Sequence, residues 1–237
     1  NAKDLRWGKD IQMREDRWKD LIKSLERLMP YYSEMNRIMS LGNDEIIRDM
    51  AIRNIQNCSS YLDAGTGPGN MAHKVKNKIV ALKTYLMDPS FEMLSKNNVE
   101  GEKVIGAFEA MPFKEGSFDL ITCAFSFRDA IFYDKAAREI SRVLKDKGMV
   151  LIVDIRKPDN PFLQFFFYLY ILIFPIFSSI IVTKGKLIHE YFTLFYTYLE
   201  YPTENEIISM FKSKGLTLLE SGNRYFGSLF YHLWIKK

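Results

Sequence analysis

The stretch Tyr61-Leu62-Asp63-Ala64-Gly65-Thr66-Gly67-Pro68-Gly69-Asn70 decides the fold. It begins as a short apolar strand that ends at the carboxylate of Asp63, and a turn with glycine at every second position follows. Because Gly65 and Gly67 have no side chain, the backbone there can turn tightly and lie against a ligand. The next segment is predicted to be a helix whose first N–H groups point at that ligand. A strand, a glycine loop and a helix in this order are typical of doubly wound α/β domains that bind nucleotide-like molecules.

A second acid supports a bound nucleoside. Asp88 lies 25 residues after Asp63, at the end of the next predicted strand, Thr84–Met87. A carboxylate at a strand end can accept hydrogen bonds from both hydroxyls of an unmodified ribose. Pro89 follows, and we expect it at the first position of the next helix, where its missing N–H costs nothing. The alternative is that Asp88 only caps this helix, but the glycine loop upstream favours ribose binding.

The glycine spacing separates two classes of ligand. Dinucleotide enzymes usually carry G-x-G-x-x-G, whose third glycine allows close packing beneath a pyrophosphate. Here the run is G-x-G-x-G, and Asp63 stands two residues before its first glycine. This pattern resembles motif I of class I S-adenosylmethionine-dependent methyltransferases, in which the loop faces the methionine part of the cofactor. The resemblance implies S-adenosyl-L-methionine as cofactor and S-adenosyl-L-homocysteine as product.

Composition excludes several other classes of protein. The 237 residues are 47% hydrophobic and 26% charged, which predicts one globular domain. The net charge of +4 is spread without a long lysine or arginine run, so we do not expect a nucleic-acid substrate. The two cysteines, Cys58 and Cys123, suggest neither a disulfide framework nor a metal site. A reducing, cytoplasmic compartment is therefore the expected location.

Strands and helices are predicted to alternate along the chain. Apolar spacing predicts an amphipathic helix over 10–29 (Ile11, Trp18, Leu21, Leu25, Leu28), a strand over Phe118–Phe125, a helix over Asp134–Lys147, a strand over Met149–Asp154 and a helix over Glu204–Lys214. The connection between the last two predicted strands, Leu216–Glu220 and Leu229–Ile235, is too short for a crossover helix, so we expect them to be antiparallel. The predicted fold is an α/β, Rossmann-like, doubly wound and mostly parallel sheet with an antiparallel last strand.

Four further segments resemble one family. Tyr32–Gly42 resembles the Y-D-x-M-N-x-x-M-S-x-G segment of the ubiquinone/menaquinone-biosynthesis C-methyltransferases, the UbiE-like family. Glu109–Phe113 followed by Ser117–Asp119 resembles its E-A-L-P-F…S-F-D motif, Ala124–Asp129 contains the arginine of its F-G-L-R-N motif, and Lys157–Pro161 matches its K-P-D-N-P. The resemblance implies transfer of a methyl group from S-adenosylmethionine to a ring carbon of a lipophilic quinol, as in the biosynthesis of ubiquinone or menaquinone.

The resemblance also implies a set of cofactor-binding residues: Tyr32, Asp63, Ala64, Gly65, Thr66, Gly67, Asp88, Pro89, Met93, Ala107, Phe108, Glu109, Ala124 and Phe125. Ala107 stands where the family usually has an Asp or Asn that contacts the adenine amino group. We therefore expect backbone groups and apolar packing, against Phe108, to hold the adenine.

Two residues are expected to act on the acceptor. Arg128 matches the motif arginine, and because it stays protonated we expect it to stabilise a phenolate. Asp129 stands where the family usually has asparagine, and it either accepts the phenolic proton or only forms a salt bridge or cap. Asp154, at the end of its own predicted strand, is a second candidate acid.

An uncharged insertion interrupts the fold. The 22 residues 161–182 are long and apolar enough for a spanning helix, but the strands on either side should belong to one sheet. Cations at both ends favour a hairpin or shallow helix on one membrane face, and a lid buried on the protein core is the alternative. We expect a helical cap over 1–57, a cofactor-binding core over 58–155, this insertion within 156–201, and a helix and hairpin over 202–237. Either form of the insertion would provide an apolar chamber for a prenylated quinol.

Two alternatives to quinol methylation remain at this stage. The first is a methyltransferase for another apolar lipid or phenolic acceptor. The second is a membrane-associated S-adenosylmethionine-binding protein without catalysis, which the departures at Ala107 and Asp129 suggest.

Overall fold

A computed structural model describes the backbone of residues 2–56, 58–79 and 82–237, and their side chains apart from 2–13 and 191–194. Its helices are α1 (Ala2–Leu28), α2 (Tyr32–Ser40), α3 (Asn43–Ala51), α4 (Asn70–Lys78), α5 (Phe91–Lys96), α6 (Tyr133–Val143), α7 (Pro161–Thr183), α8 (Ile188–Glu200) and α9 (Glu204–Ser213). Its strands are β1 (Ser60–Ala64), β2 (Lys83–Asp88), β3 (Glu102–Ile105), β4 (Phe118–Ala124), β5 (Leu144–Ile155), β6 (Leu216–Arg224) and β7 (Leu229–Lys236).

The described strands form one sheet in the order β3-β2-β1-β4-β5-β7-β6. Strands β1 to β5 are parallel, whereas β7 runs antiparallel to both β5 and β6. The predicted fold class is thereby confirmed, including the antiparallel end. Because β1, β2, β4 and β5 are parallel, their carboxyl ends meet at one edge, where open α/β sheets bind ligands.

The sheet is buried on both faces by helices. Alternation along β1 places Tyr61 in one apolar core and Leu62 in the other, and both side chains are fully buried. Helices α6 and α9 cover the Leu62 face, with Ile140 and Phe211 among the contacts. Helices α3 and α4 cover the Tyr61 face. This two-sided burial explains why β1, β4 and β5 are almost continuously apolar.

One predicted helix ends earlier than expected. The helix predicted to run to Lys147 stops at Val143, and Leu144 already pairs with Phe118 as the first residue of β5. Leu144 lies at helical spacing from Ile140, so the apolar pattern fits both structures up to that point. Pairing with β4 buries Leu144 completely and decides in favour of the strand.

Pro89 is also displaced from its predicted position. Helix α5 begins at Phe91, and Ser90 is its N-cap, with the Ser90 hydroxyl accepting a hydrogen bond from the N–H of Met93 at 3.1 Å. Pro89 therefore lies outside the helix. The serine is a better cap than the preceding acid, since its side chain reaches the first-turn N–H groups.

The predicted amphipathic helix is part of the longer α1. Leu21 and Leu28 are buried, and Trp18 and Leu25 are half-buried, as the spacing indicates. The side chain of Ile11 lies outside the described residues.

The apolar insertion forms one helix, so of the two expected forms, a hairpin or a shallow helix, the hairpin is wrong. α7 runs continuously from Pro161 to Thr183 and contains Pro175 in its interior. Among the described residues, α7 is the one helix that is long and apolar enough, by length and composition, to cross a membrane. However, β5 before it and β7 after it pair directly with each other in the sheet. The helix packs against α2 and α8 and does not separate two halves of the protein.

Candidate active site

The glycine loop joins β1 to α4 at the carboxyl edge of the sheet. Gly65 and Gly67 have φ values of 68° and 49°, a region that L-residues adopt at a cost. A Cβ atom on Gly65 would lie 2.4 Å from Cβ of Ser126, so any side chain there would clash with the loop after β4. The side-chain amide of Asn97 donates a hydrogen bond to the carbonyl oxygen of Gly67 at 3.0 Å and so stabilises the loop.

Asp63 is buried beneath this loop and accepts hydrogen bonds. The hydroxyls of Thr66 and Thr122 donate to its two carboxylate oxygens at 2.8 Å and 2.5 Å. Burial raises the pKa of Asp63, and these hydrogen bonds oppose the increase. Asp63 therefore stabilises the loop through these hydrogen bonds and also lines the cavity above it.

Asp88 closes the other side of the loop. Its carboxylate accepts hydrogen bonds from the N–H of Gly67 at 2.8 Å and from the N–H of Ser90 at 3.0 Å. Burial raises the pKa of Asp88 to about 6, although the two hydrogen bonds act in the opposite direction. Because Ser90 supplies the helix cap, a capping role does not account for Asp88.

A cavity of about 920 Å³ lies above the loop, and we term it the first cavity. Its wall contains most of the predicted cofactor residues: Tyr32, Asp63, Gly65, Thr66, Gly67, Asp88, Pro89, Met93, Ala107, Phe108, Glu109, Ala124 and Phe125. Asp129, which was predicted to act on the acceptor, also lines this wall. Ala64 is not among the wall residues: it is fully buried, and its carbonyl oxygen accepts a hydrogen bond from the Ser126 hydroxyl at 2.9 Å. A glycine cradle fits the methionine part of S-adenosylmethionine, and a carboxylate at a strand end fits its ribose.

The segment after β3 forms the part of the wall expected to face adenine. Phe108 lines the cavity and packs edge-on against Phe127, with ring centroids 6.0 Å apart. The carboxylate of Glu109 accepts hydrogen bonds from the N–H groups of Ile131 and Phe132. Glu109 thus fixes the loop that follows Arg128, and Ala107 leaves an apolar, uncrowded wall beside Phe108.

A second cavity of about 970 Å³ adjoins the first. It lies among α2, α7, α8 and the ends of β4 and β5, and its wall is mostly apolar and aromatic: Leu28, Met35, Met39, Ile155, Tyr170, Ile171, Phe174, Phe195, Tyr198 and Tyr225 belong to it. Leu25, Tyr32 and Phe125 line both cavities. These three side chains therefore form the partition between them.

Phe125 is strained and stands between two guanidinium groups. It has a φ of 58°, which costs an L-residue about 1–2 kcal/mol. The guanidinium of Arg48 lies 4.7 Å from its ring centroid, and that of Arg128 lies 6.0 Å from it. Strain of this kind occurs where the surrounding structure dictates a backbone conformation, and functional sites are a common place for it.

Arg128 lines the second cavity and is held from behind by Asp154. Nη1 of Arg128 donates to the Asp154 carboxylate at 2.7 Å, and Asp154 is fully buried. Burial by itself would lower the pKa of Arg128, but the charges of Asp154 and Asp129 raise it. The Arg128 side chain is thus a fixed cation at the edge of an apolar chamber. Asp154, the second candidate acid, is occupied in positioning it.

Asp129 faces the first cavity and a third, more polar one of about 830 Å³ between α1 and α8. Its Oδ1 is buried without a hydrogen-bond partner among the described residues, and the Arg128 Nε atom lies 3.8 Å away. Burial raises the pKa of Asp129 to about 7, partly opposed by Arg128. A carboxylate whose pKa is raised toward neutral pH, and whose Oδ1 accepts no hydrogen bond from the described residues, has the chemistry of a proton acceptor.

Several residues of the first cavity's wall were not predicted from the sequence. Trp18, Ile22 and Leu25 of α1 cover the first cavity, although the apolar stripe had indicated only that this helix has a buried face. Arg48 of α3 also lines it, and no motif pointed to this residue. The available signal in the sequence was the position of Arg48 beside the apolar residues Ile47 and Ala51.

Comparison with known sequences gives a consistent picture. Residues 11–236 match the model of the ubiE/COQ5 methyltransferase family. A demethylmenaquinone methyltransferase of Thermotoga maritima is 31% identical over 206 residues, which cover 83% of this chain and 88% of the relative. A ubiquinone/menaquinone biosynthesis C-methyltransferase UbiE of Rickettsia massiliae is 30% identical over 200 residues, 78% of this chain and 79% of the relative.

Solved structures agree on the fold. A S-adenosylmethionine-dependent methyltransferase of Thermotoga maritima, described as a possible histamine N-methyltransferase, superposes with a TM-score of 0.63 at 15% identity, covering 92% of this chain and all of that one. The YcgJ protein of Bacillus subtilis superposes with a TM-score of 0.58 at 17% identity, covering 82% of this chain and 97% of that one. At these identities the likeness concerns the fold alone.

Proposed function

The chain belongs to the ubiE/COQ5 methyltransferase family and is an S-adenosylmethionine-dependent methyltransferase, and on that premise we propose that it methylates a ring carbon of a lipophilic quinol in quinone biosynthesis. The single observation that supports this acceptor is the second cavity. It is apolar and aromatic, it adjoins the cavity with the glycine loop, and Arg128 stands in its wall.

The second cavity suits a prenylated tail. Removing each CH₂ of such a tail from water contributes about 0.8 kcal/mol, so aromatic residues such as Phe174 and Phe195 can supply much of the substrate affinity. The quinol ring would lie at the partition formed by Tyr32 and Phe125, near Arg128. Binding there brings the ring against the first cavity, and alignment of two reactants is itself a large source of rate acceleration.

Each polar side chain has a distinct task in this proposal. S-adenosylmethionine, when bound by the glycine loop and Asp88, supplies a methyl group on a positively charged sulfur. Asp129 takes the proton of a phenolic O–H, directly or through water, and the ring carbon beside that oxygen becomes nucleophilic. Arg128 stabilises the negative oxygen through charge and hydrogen bonding. As the new carbon–carbon bond forms, the methyl–sulfur bond breaks and S-adenosylhomocysteine is left. The hydrogen at that ring carbon then leaves as a proton, the phenolic oxygen takes a proton back, and the aromatic quinol is restored with one proton released overall.

Methyl transfer to defined acceptors tests this function. Purified protein is incubated with methyl-labelled S-adenosylmethionine and a reduced prenylated benzoquinol or naphthoquinol, and the product is identified by mass spectrometry. We expect a quinol with one labelled methyl group on a ring carbon. Label on a phenolic oxygen, or transfer only to a non-quinol phenol or lipid, would contradict the proposed acceptor.

We further propose that residues 161–182 rest on the cytoplasmic face of a membrane. The outer face of α7, defined by Phe162, Phe166, Leu169, Ile173, Phe177 and Ile180, is a solvent-exposed apolar stripe at helical spacing. The polar side chains point the other way: Ser178 and Ser179 are fully buried, and Thr183 is 7% exposed. A helix that hides its polar groups and exposes its apolar ones suits contact with lipid.

The flanking cations behave differently at the two ends of α7. Arg156 is paired with Glu204 at 2.6 Å, and the ammonium group of Lys157 donates to the carbonyl oxygens of Leu199 and Tyr201 at 2.8 Å. Lys184 and Lys186, at the other end, are exposed. The expectation of cations available at both ends is thus corrected, and the exposed lysines are the ones that can attract anionic lipid.

Vesicle flotation tests the membrane contact. The protein should float with vesicles of phosphatidylcholine and phosphatidylglycerol, and less with phosphatidylcholine alone. Phe166→Ser combined with Phe177→Ser should abolish flotation, whereas Phe91→Ser, which removes an even more exposed phenylalanine on α5, should leave it unchanged. Concentration-dependent dimerisation without flotation would assign the outer face of α7 to a second copy of the chain and contradict the proposal.

A further inference from the structure

Arg48 is a buried cation in the wall of the first cavity with no role in the function proposed above. It lies on α3, and only 2% of the residue is exposed. Within the ranges that the structure describes, it is the one lysine or arginine that lines this cavity. The same wall contains the carboxyl groups of Asp63, Asp88, Glu109 and Asp129.

The guanidinium of Arg48 is satisfied on one side only. Nη1 donates to the Asp44 carboxylate at 3.0 Å and to the Glu45 carboxylate at 2.8 Å. Nε is buried and has no hydrogen-bond partner in the described part of the chain. Buried donors on charged groups are seldom left unpaired, since water cannot replace the missing bond. An acceptor from outside the chain is therefore expected at Nε.

The orientation of this guanidinium is fixed before any ligand arrives. Asp44 is itself held by the hydroxyl of Ser40 at 2.6 Å, and the guanidinium lies 4.7 Å from the Phe125 ring centroid. These contacts hold the group from two directions, beside the partition residue and near the start of α4. A cation positioned in this way can bind an anion without losing much side-chain entropy.

The ligand of the first cavity has one anionic group. S-adenosylmethionine carries a carboxylate at its methionine end, and a wall with four acids would repel this group unless a cation faced it. We propose that Arg48 binds the α-carboxylate of the cofactor through Nε and the adjacent edge of the guanidinium. The pairing of an arginine edge with a carboxylate is directional, so it also orients the methionine end relative to Phe125.

Two ligands that differ only in this carboxylate test the proposal. S-adenosylmethionine and decarboxylated S-adenosylmethionine are titrated against the protein by calorimetry, or through the fluorescence of Trp18 in the same cavity wall. Arg48→Gln removes the cation and keeps a donor for Asp44, and we expect about 10- to 100-fold weaker binding of S-adenosylmethionine. Binding of the decarboxylated ligand should be unchanged in this variant.

Matched variants separate this role from a structural one. Lys74 pairs with Glu45 at 3.0 Å, as Arg48 does, but it belongs to α4 and not to the cavity wall, so Lys74→Gln should affect neither ligand. Arg48→Lys keeps a charge beside Asp44 and secures folding if the glutamine variant fails, with an intermediate loss for S-adenosylmethionine alone. Equal loss of both ligands, or loss of neither, would overturn the proposal. The assay contains no acceptor, so its result is independent of whether a quinol is the substrate.

Discussion

The carboxyl edge of the sheet and helix α7 arrange polar and apolar groups in opposite ways. At the sheet edge, acids such as Asp63 and Asp88 are buried around the first cavity, in which we propose that the cofactor binds. Along α7, small hydroxyl residues such as Ser178 are buried while Phe166 and Phe177 face outward. The first region is built to bind a polar cofactor from water, and the second suits an apolar surface outside the protein. The second cavity lies between them, under α7 and next to the first cavity.

Composition alone therefore does not give the role of a segment. Both regions contain apolar strands or helices with a few polar residues. What separates them is the direction in which the polar residues point, and only the packing of the whole chain sets this direction.

The largest expected effect is on turnover, and it is expected at Arg128. Replacing it with Ala should lower turnover by about 10²- to 10³-fold, because a fixed donor to the developing oxyanion is lost. Cofactor affinity should stay nearly unchanged, since Arg128 lines the second cavity and not the first. Single-turnover kinetics and calorimetry measure the two quantities separately.

A control is needed because Arg128→Ala leaves the buried Asp154 without its partner, which can cost about 3–5 kcal/mol of stability. The double variant Arg128→Ala with Asp154→Asn removes both charges and should fold better with the same loss of turnover. Parallel loss of turnover and cofactor binding in this double variant would contradict the role given to Arg128.

The next effect is expected at Asp88. Asp88→Asn should weaken cofactor binding by about 10- to 100-fold, because hydrogen bonds from the ribose to a charged acceptor are lost. Glu92→Gln, an exposed acid on α5, is the matched control and should bind as the wild type does. Since burial raises the pKa of Asp88 to about 6, wild-type binding should also weaken as the pH falls below 6. Unchanged affinity in Asp88→Asn would refute the ribose assignment.

A pH profile probes Asp129. With its pKa raised to about 7 by burial, the ionised form that accepts a proton dominates only above that pH. Turnover should therefore rise about tenfold per pH unit below 7 and level off above it, and Asp129→Asn should abolish this rise.

The stability of the same variant provides a second readout. A carboxyl whose folded-state pKa is raised stabilises the fold below its unfolded pKa, and this contribution disappears as the pH rises through the folded value. Asp129→Asn should therefore unfold at a higher temperature than the wild type at pH 8, and at about the same temperature at pH 4. A wild-type advantage at pH 8 would show that the ionised carboxylate is not buried at a cost.

The smallest effects are expected on α7, and they should be inverted relative to a normal surface helix. Ser178→Phe places bulk at a fully buried position and should lower the free energy of unfolding by about 1–3 kcal/mol. Phe177→Lys changes an exposed position and should alter it by less than about 0.5 kcal/mol. Denaturant unfolding measures both. A large cost for Phe177→Lys would mean that the outer face is buried against protein.

The sequence was sufficient for the region whose chemistry depends on local motifs. The glycine loop, the strand before it and the acid at Asp88 follow from backbone requirements that only certain residues meet, and all were placed at the correct sheet edge. The helix end at Val143 could not be predicted, because Leu144 fits both a helix and a strand, and long-range pairing with Phe118 decides between them.

Contacts between residues that are far apart in the sequence could not be predicted either. The pairing of Arg128 with Asp154 joins the ends of two strands, and it turns a candidate acid into a positioning residue. Arg48 reaches the first cavity only because α3 packs beside β5 and β7. The sequence did not predict which face of α7 is exposed for the same reason. The exposed face is the one that α2, α8 and the β6–β7 turn do not cover.

The most direct test of the account compares one head group with and without its tail. Rates of methyl transfer to a reduced prenylated quinol and to the same quinol lacking the tail are measured with labelled S-adenosylmethionine. We expect C-methylation of both, with kcat/KM higher for the prenylated quinol by about tenfold for every two CH₂ groups that the second cavity buries, until the cavity is full. Equal kcat/KM for the two acceptors, or preference for the tailless one, would contradict the assignment of the second cavity to a lipophilic quinol.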